Sequence, residues 1–391
     1  MDIELARTLA GPAGAEAIAA AAALPDPDSL SAAEAMRAAF APDLAAAALT
    51  QVSLRARARR KLGERADRLL WTPDSVEQAT RAAVSRWRAE RLRAAGITRV
   101  IDLGCGAGAD SLACLDAGME VTAVDVDPAT AELAVHNLPG ARVLCADATR
   151  VAAELTAGAD ERTCVLLDPA RRTARGRSWR LEDLRPGWGF VQDMLVGPTS
   201  AVVKLGPGTP TEVLPRRNEA VWVSERGEVV ECGLWRLPGG GPGRAALLLP
   251  GGILVRADPD APALDVCPPG RFIIEPDGAV SRAGALARIG PGLWRLAARV
   301  AYLSGDEPVS GPLADCFEVL VELDARPAAL RAWVRANRIG VLEIKKRALD
   351  VDPAALRRRL RPSGPNRATL ILSPTIRGAR AFVVRPLRAG A

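Results

Sequence analysis

Val100-Ile101-Asp102-Leu103-Gly104-Cys105-Gly106-Ala107-Gly108 decides how the rest of the chain is read. An apolar run carrying one acid gives way to three glycines at alternate positions and then to a helical pattern. That is a strand, a tight loop and a helix start: glycine lets the backbone turn sharply and approach a ligand with no side chain in between. The alternation begins with this motif and repeats after it. Apolar runs at 99–103 (RVIDL), 119–124 (MEVTAV), 141–145 (ARVLC), 163–167 (TCVLL) and 200–205 (SAVVKL) are separated by helical stretches. Continuous apolar strands alternating with helices predict a parallel sheet joined by right-handed crossovers. VWVSERGEVVECGLW (221–235) then places two alternating runs around Arg226-Gly227, the pattern of an antiparallel hairpin. The expected fold class is α/β with an antiparallel edge.

The flanks read differently. Residues 1–70 are alanine-rich with helical spacing, broken at Pro25-Asp26-Pro27 and at Pro42, with Ser29 and Ser31 as helix starts. An arginine-rich helix is expected over Arg55–Arg68. Thr72 is placed to cap a helix with Pro73 in its first position, and that helix is expected to run from about Asp74 to Ala94. Beyond the connection Pro238–Gly243 the pattern is α+β: strand-like ALLL, ILVRA, FIIE and FEVLVEL, helices near 284–300 and 327–338, then a helix after Pro353 and a strand pair. These breaks divide the chain into a small all-helical region (1–70), a sheet domain (71–244) and a smaller α+β region (245–391).

Composition removes several chemistries. The 391 residues include one histidine, His136, so a metal site or mechanism needing two histidines is excluded. A Ser-His-Asp or Cys-His arrangement would have to recruit His136, which lies in an ordinary helical pattern. The seven cysteines stand singly; Cys145 and Cys164 sit in apolar runs and read as buried reduced thiols. The start Met1-Asp2-Ile3-Glu4 lacks the positive charge of a signal peptide, and no apolar run approaches the roughly 20 residues of a membrane span. The expectation is a cytoplasmic protein with no metal and no membrane partner.

Asp102 bears on the ligand. A carboxylate two residues before the first glycine opposes a pyrophosphate at the helix start, which argues against a nicotinamide dinucleotide. It suits a cation. S-adenosylmethionine carries an ammonium and a sulfonium, and the spacing D-x-G-x-G-x-G resembles motif I of class I S-adenosylmethionine-dependent methyltransferases. Cofactor contacts are therefore assigned to Asp102, Gly104, Gly106 and Gly108. Asp125 ends the second strand, where an acid bonds ribose hydroxyls. Asp147 follows the third, where this class holds the adenine amino group. Asp102, Asp125 and Asp147 could each instead cap a turn.

The fourth run ends in Asp168-Pro169-Ala170-Arg171-Arg172. It resembles the D/N-P-P-aromatic motif of nucleic-acid amino-methyltransferases, in which the acid and the following carbonyl accept hydrogen bonds from the target amine. Asp168 and Pro169 are the catalytic candidates by that resemblance. Ala170 replaces the second proline and Arg171 the aromatic, so base stacking would fall to Arg171, Trp179 or Trp188. The related 5-methyluridine enzymes need a cysteine after the fifth strand. Lys204-Leu205-Gly206-Pro207-Gly208 has none, which favours direct in-line transfer without a covalent intermediate. Lys204 either contacts substrate phosphate or pairs with Asp168. Six arginines lie between 171 and 185 with Trp179 among them, so Arg171, Arg172 and Trp179 join the substrate-binding candidates.

Residues 326–391 hold 16 basic and 3 acidic side chains, although the whole chain carries only +6. Such concentration is the electrostatic footprint of a nucleic-acid-binding module, with Lys345-Lys346-Arg347 as its candidate contacts, or else a solvated helical face. In combination, Glu77-Gln78-Ala79-Thr80, DLGCGAGAD (102–110), DPARR (168–172), VKLGPG (203–208), GEVVECGLW (227–235), Glu275–Val280 and Val341–Arg347 resemble bacterial class I methyltransferases with a C-terminal THUMP-like domain. The Trp71-Thr72-Pro73 segment is similar to the cofactor side of cap trimethylguanosine synthases. The resemblance implies a Rossmann-like sheet, S-adenosylmethionine as cofactor, a THUMP-like domain at about 315–391, and an RNA substrate such as tRNA. The alternatives are methylation of a small molecule or protein, and a non-catalytic protein that binds S-adenosylmethionine and RNA.

Overall fold

A computed structural model of the chain describes residues 1–171 and 181–387. The chain divides into two compact units, 1–225 with 230–242, and 226–229 with 243–391.

The first unit opens with four helices, α1 (Ile3–Ala10), α2 (Pro12–Ala22), α3 (Leu30–Ala39) and α4 (Pro42–Leu62). Ser29 caps α3 by accepting from the Ala32 amide at 3.2 Å, and Pro42 opens α4. The arginine-rich stretch does not form its own helix. α4 begins earlier and stops at Gly63, whose φ of +63° ends it, and residues 63–68 continue as a 3-10 turn. Two shorter helices follow, α5 (Pro73–Gln78) and α6 (Ala82–Ala94), where one was expected. Thr72 caps α5 in a reciprocal pair with Ser75. Ala79 then turns to ψ 130°, which ends α5 just before Thr80.

The sheet of this unit contains β1 (Arg99–Leu103), β2 (Glu120–Asp125), β3 (Arg142–Cys145), β4 (Thr163–Leu167), β5 (Ser200–Leu205), β6 (Glu219–Glu225) and β7 (Glu228–Arg236). Their order is β6-β7-β5-β4-β1-β2-β3. β1 to β5 run parallel, and β7 joins β5 antiparallel, so the hairpin supplies the antiparallel strands as its sequence pattern predicts. Arg226 and Gly227 both have positive φ (53° and 81°), the requirement of a hairpin turn that matches strand twist. Helices α7 (Ala109–Asp116), α8 (Pro128–Asn137), α9 (Ala148–Thr156) and α10 (Trp188–Val196) connect the strands. β1 is central: Val100, Ile101 and Leu103 are fully buried, each contributing about 1.5–3 kcal/mol. β3 is an edge strand, and for that reason Cys145 is exposed, against expectation, whereas Cys164 in β4 is buried. The N-terminal helices close onto α8 in one apolar cluster that joins Leu9, Ile18 and Ala45 to Ala129 and Leu133.

The second unit holds a hairpin of β8 (Gly243–Leu249) and β9 (Ile253–Arg256), with α11 (Gly278–Ala283) packed on β8. Its main sheet is ordered β11-β12-β10-β13-β16-β15-β14. These are β10 (Phe272–Pro276), β11 (Trp294–Arg295), β12 (Leu303–Gly305), β13 (Ala314–Asp324), β14 (Ile339–Lys346), β15 (Asn366–Thr375) and β16 (Gly378–Leu387). Helices α12 (Pro327–Ala336) and α13 (Pro353–Leu360) cover one face through Leu330, Val334, Leu356 and Leu360, packed on Leu370 and Leu372; Ile371 points into a second cluster with Tyr302, Phe317 and Phe382. The helix expected near 284–300 does not form. Gly284 in a left-handed conformation stops α11, Pro291-Gly292 interrupts any helical continuation, and a 3-10 turn and the short β11 fill the span.

Candidate active site

The carboxyl ends of β1, β2, β4 and β5 open into a cavity of about 690 Å³. The glycine loop forms its floor. Gly104 (φ 95°), Gly106 (φ 54°) and Gly108 (φ 88°) all occupy the left-handed region, and a Cβ on Gly108 would lie 2.7 Å from Leu138 Cδ2. The sequence demands glycine there because any other residue would be strained and, at 108, would clash. Amide side chains hold the loop and the wall opposite it. Asn137 of α8, buried, donates to the carbonyls of Ala107 (3.0 Å) and Leu70 (2.9 Å) and accepts from the Leu70 amide (2.7 Å). Gln51 of α4 pairs with both backbone groups of Trp71, at 2.9 and 2.7 Å. The Leu70-Trp71 strap is thus clamped, and α5 hangs from it with Asp74, Ser75 and Gln78 lining the cavity.

Three carboxylates at successive strand ends line this cavity. Asp102, buried, accepts from Ser111 Oγ at 2.6 Å. Burial pushes its carboxyl up to about 7, with the Ser111 hydrogen bond opposing and nearby Asp110 reinforcing. Asp125 accepts from the Gly106 amide at 3.0 Å and the Asp127 amide at 2.9 Å; burial raises it and these bonds oppose. Asp147 caps α9: Oδ1 takes both the amide and the hydroxyl of Thr149, at 2.8 and 2.7 Å, which lower its carboxyl, and Oδ2 carries no bond among the described residues. The cap and the cavity-facing position coexist in one residue.

At the other end of the cavity, Lys204 of β5 contacts the Asp168 carboxylate and donates to Thr80 Oγ1 (2.7 Å) and Asp110 Oδ2 (3.0 Å). Thr80 in turn donates to Asp110 at 2.6 Å. Arg88 of α6 reaches both Asp110 and Glu231 from behind, with its side chain 1% exposed. Burial opposes every charge in this chain of contacts. The opposed partners win: Asp110 ends well below the usual carboxylate range, and Lys204 and Arg88 end above their usual values. Asp168 is the outer member, its side chain 40% exposed where that of Lys204 is 12%. Ala170 and Arg185 line the same side, brought together by a two-residue antiparallel pairing of 170–171 with 184–185.

The cavity therefore gathers Asp102, Gly104, Gly106, Asp125, Asp147, Asp168 and Lys204. Gly108 caps the adjoining helix, and Pro169 is buried beside Asp168. Arg172 and Trp179 lie outside the described residues, as does the side chain of Arg171. Lys345, Lys346 and Arg347 belong to the second unit. Two of them are held internally: Lys345 by Glu275 at 2.7 Å, and Arg347 by Glu275 at 3.5 Å. His136 sits exposed with Nδ1 3.3 Å from the Ala10 carbonyl oxygen. Sequence reasoning missed Thr80, Arg88, Asp110 and Glu231 as site residues, although all but Arg88 lie in the motifs that carry the family resemblance.

Known proteins bear on this site. A family model described as "Methyltransferase domain" matches residues 101–158, one described as "THUMP domain-like" matches 314–386, and one described as "Domain of unknown function (DUF8688)" matches 2–58. Two curated proteins of Mycobacterium tuberculosis strains, each named an uncharacterized S-adenosylmethionine-dependent methyltransferase, are 36% identical over 352 residues, covering 86% of this chain and 95% of theirs. A crystal structure assigned to a methyltransferase of Porphyromonas gingivalis aligns over 96% of this chain and 99% of its own, with 21% identity and a TM-score of 0.77, which marks a shared fold.

Proposed function

Since the chain belongs to the family of S-adenosylmethionine-dependent methyltransferases, we propose that it methylates RNA, with tRNA a candidate, by direct in-line transfer at Asp168. S-adenosylmethionine, when bound, supplies an electrophilic methyl group on a sulfonium. The cavity suits it: about 690 Å³ falls in the range of small-molecule sites, and the donor set is a glycine floor with three carboxylates. Asp102 would meet the cationic end, Asp125 the ribose and Asp147 the adenine.

The observation that carries the acceptor assignment is the lysine-held Asp168 at the open side of the cavity. Lys204 takes one carboxylate oxygen and fixes the side chain. The other oxygen is left to accept an N–H of the acceptor and to aim the nitrogen lone pair along the transfer line. The acceptor proton passes to solvent after transfer. No nucleophilic side chain of the chain need enter a covalent intermediate. An RNA acceptor is supported by the THUMP-like match and by the basic balance of residues 326–391.

The test is transfer of labelled methyl to total RNA from cells lacking the gene. Incorporation is expected, and Asp168→Ala should lower it by at least about 100-fold, the scale of losing one preorganised electrostatic contact. Cofactor binding by that variant should stay within about threefold. Absence of label from every RNA in the pool would sink the RNA reading.

A further inference from the structure

Two groups of cations in the second unit bear on nucleic-acid binding. The first, at the carboxyl end of β14, is occupied. Besides their bonds to Glu275, Lys345 lies 5.1 Å over the Phe317 ring and Arg347 5.6 Å over Tyr302, while Lys346 donates to the Leu349 carbonyl at 3.2 Å.

The second group lies at the amino ends of β14 and β15. Leu330 and Val334 turn one face of α12 into the core, Arg331 and Arg335 lie one turn apart on an exposed flank of it, and Arg338 is exposed in the turn that follows the helix, at φ 52°. The end of α12 is stitched to the start of β15: the Asn366 amide donates to the Arg338 carbonyl at 3.2 Å, and its side chain donates to the Asn337 carbonyl at 2.9 Å. Arg367 is the next residue. Arg361 ends α13 at φ 51°, and three residues on Gly364 packs so closely that a Cβ there would sit 2.1 Å from the Arg338 carbonyl oxygen. These five arginines are exposed, and none of their guanidinium groups has an ion pair or hydrogen bond among the described residues.

Resting on the RNA reading of the active site, we propose that RNA is held along this rim, by Arg331, Arg335, Arg338, Arg361 and Arg367, and not through Lys345 and Arg347. Unpaired guanidinium groups on a stitched frame present planar forks that match phosphate oxygens. The only aromatic of α12, Trp333, is half-buried against the core, so the helix offers no open ring for base stacking. The rim therefore takes the backbone of structured RNA without reading its sequence. The apolar face of α12 is already buried on the sheet, which leaves none of it to insert into a lipid surface.

The experiment measures binding of fluorescently labelled bulk tRNA to the full chain across a salt series. It compares wild type with the triple variant Arg335→Gln/Arg338→Gln/Arg361→Gln and with Lys346→Gln, all checked for equal thermal melting. The triple variant should bind at least about tenfold more weakly and lower the slope of log affinity against log salt by about 2–3, while Lys346→Gln stays within about twofold. A triple variant that binds tRNA like wild type, with the same salt slope, overturns the rim and leaves the RNA reading standing. A wild-type chain that fails to bind tRNA at low salt, or that binds phosphatidylserine vesicles instead, overturns the RNA reading with it.

Discussion

Lys204 of the first unit and Lys345 of the second both lie near the carboxyl end of a strand and both contact a carboxylate, yet their pairs are built the opposite way round. In the first, the lysine is the deeper partner, with side chains 12% exposed for Lys204 and 40% for Asp168. In the second, the acid is deeper, 17% for Glu275 against 27% for Lys345. A lysine rooted below its acid presents a carboxylate outward, with lone pairs to spare. An acid rooted below its base turns that base inward and closes the pair. The same pairing of an ammonium with a carboxylate thus leaves an open carboxylate in one place and closes a brace in the other. Burial order decides which.

That contrast can be broken first at the root of the Lys204 pair. Arg88 is the buried counter-charge behind Asp110, and its guanidinium also serves Glu231. Arg88→Met removes it from between two nearly buried acids. The expected loss is about 3–5 kcal/mol of unfolding free energy, the usual result of leaving buried charge without its partner. Urea unfolding would measure it. A loss below about 1 kcal/mol would mean that Lys204 and Thr80 alone secure Asp110, and that the cluster is not rooted at Arg88.

Much of this was legible in the sequence, unevenly. The glycine loop and the acids at 102, 125 and 147 could be placed because strand period and loop chemistry act locally. Asp168 could be placed because it follows the fourth apolar run. Thr80, Asp110 and Glu231 could not, because their roles depend on which strands become neighbours. Glu231 meets Arg88 only since the hairpin folds back so that β7, and not β6, lies beside β5. Thr80 reaches Lys204 only because the helix expected over 74–94 breaks at Ala79. Lys345-Lys346-Arg347 show the complementary limit: a run of cations shows its charge, while Glu275, some 70 residues away in sequence, shows its partner only in the fold.

Asp102 sharpens the comparison from within the same cavity, being an acid with no cation hydrogen-bonded to it among the described residues. Burial places its carboxyl at about 7. A cationic ligand binds the ionised form better, so affinity for S-adenosylmethionine should rise as pH increases through 7 and level off above about 8. At pH 6 only about a tenth of the carboxyl is ionised, which sets the loss at up to about tenfold relative to pH 8, or about 1.4 kcal/mol. Calorimetric titration at both pH values reads this directly, with Asp102→Asn expected to be weak and flat. A flat profile in the wild type would place the cationic end of the cofactor away from Asp102.

The smallest effect is expected at the Lys345 pair, and its smallness is what the burial argument requires. Glu275 holds Lys345 and Arg347 and accepts from the Tyr302 hydroxyl at 3.3 Å, all within the second unit. Glu275→Gln keeps the shape and a hydrogen-bonding carbonyl while removing the charge, so about 1 kcal/mol of stability should be lost, the scale of a partly exposed ion pair. Thermal melting would show it as a drop of a few degrees. The affinity for S-adenosylmethionine should not move, since no atom of this pair lines the cavity. Affinity for tRNA should hold or rise slightly, because two cations are released and none is lost. A fall in tRNA affinity would instead make the braced pair part of the binding surface. Burial order would then no longer separate a site from a brace.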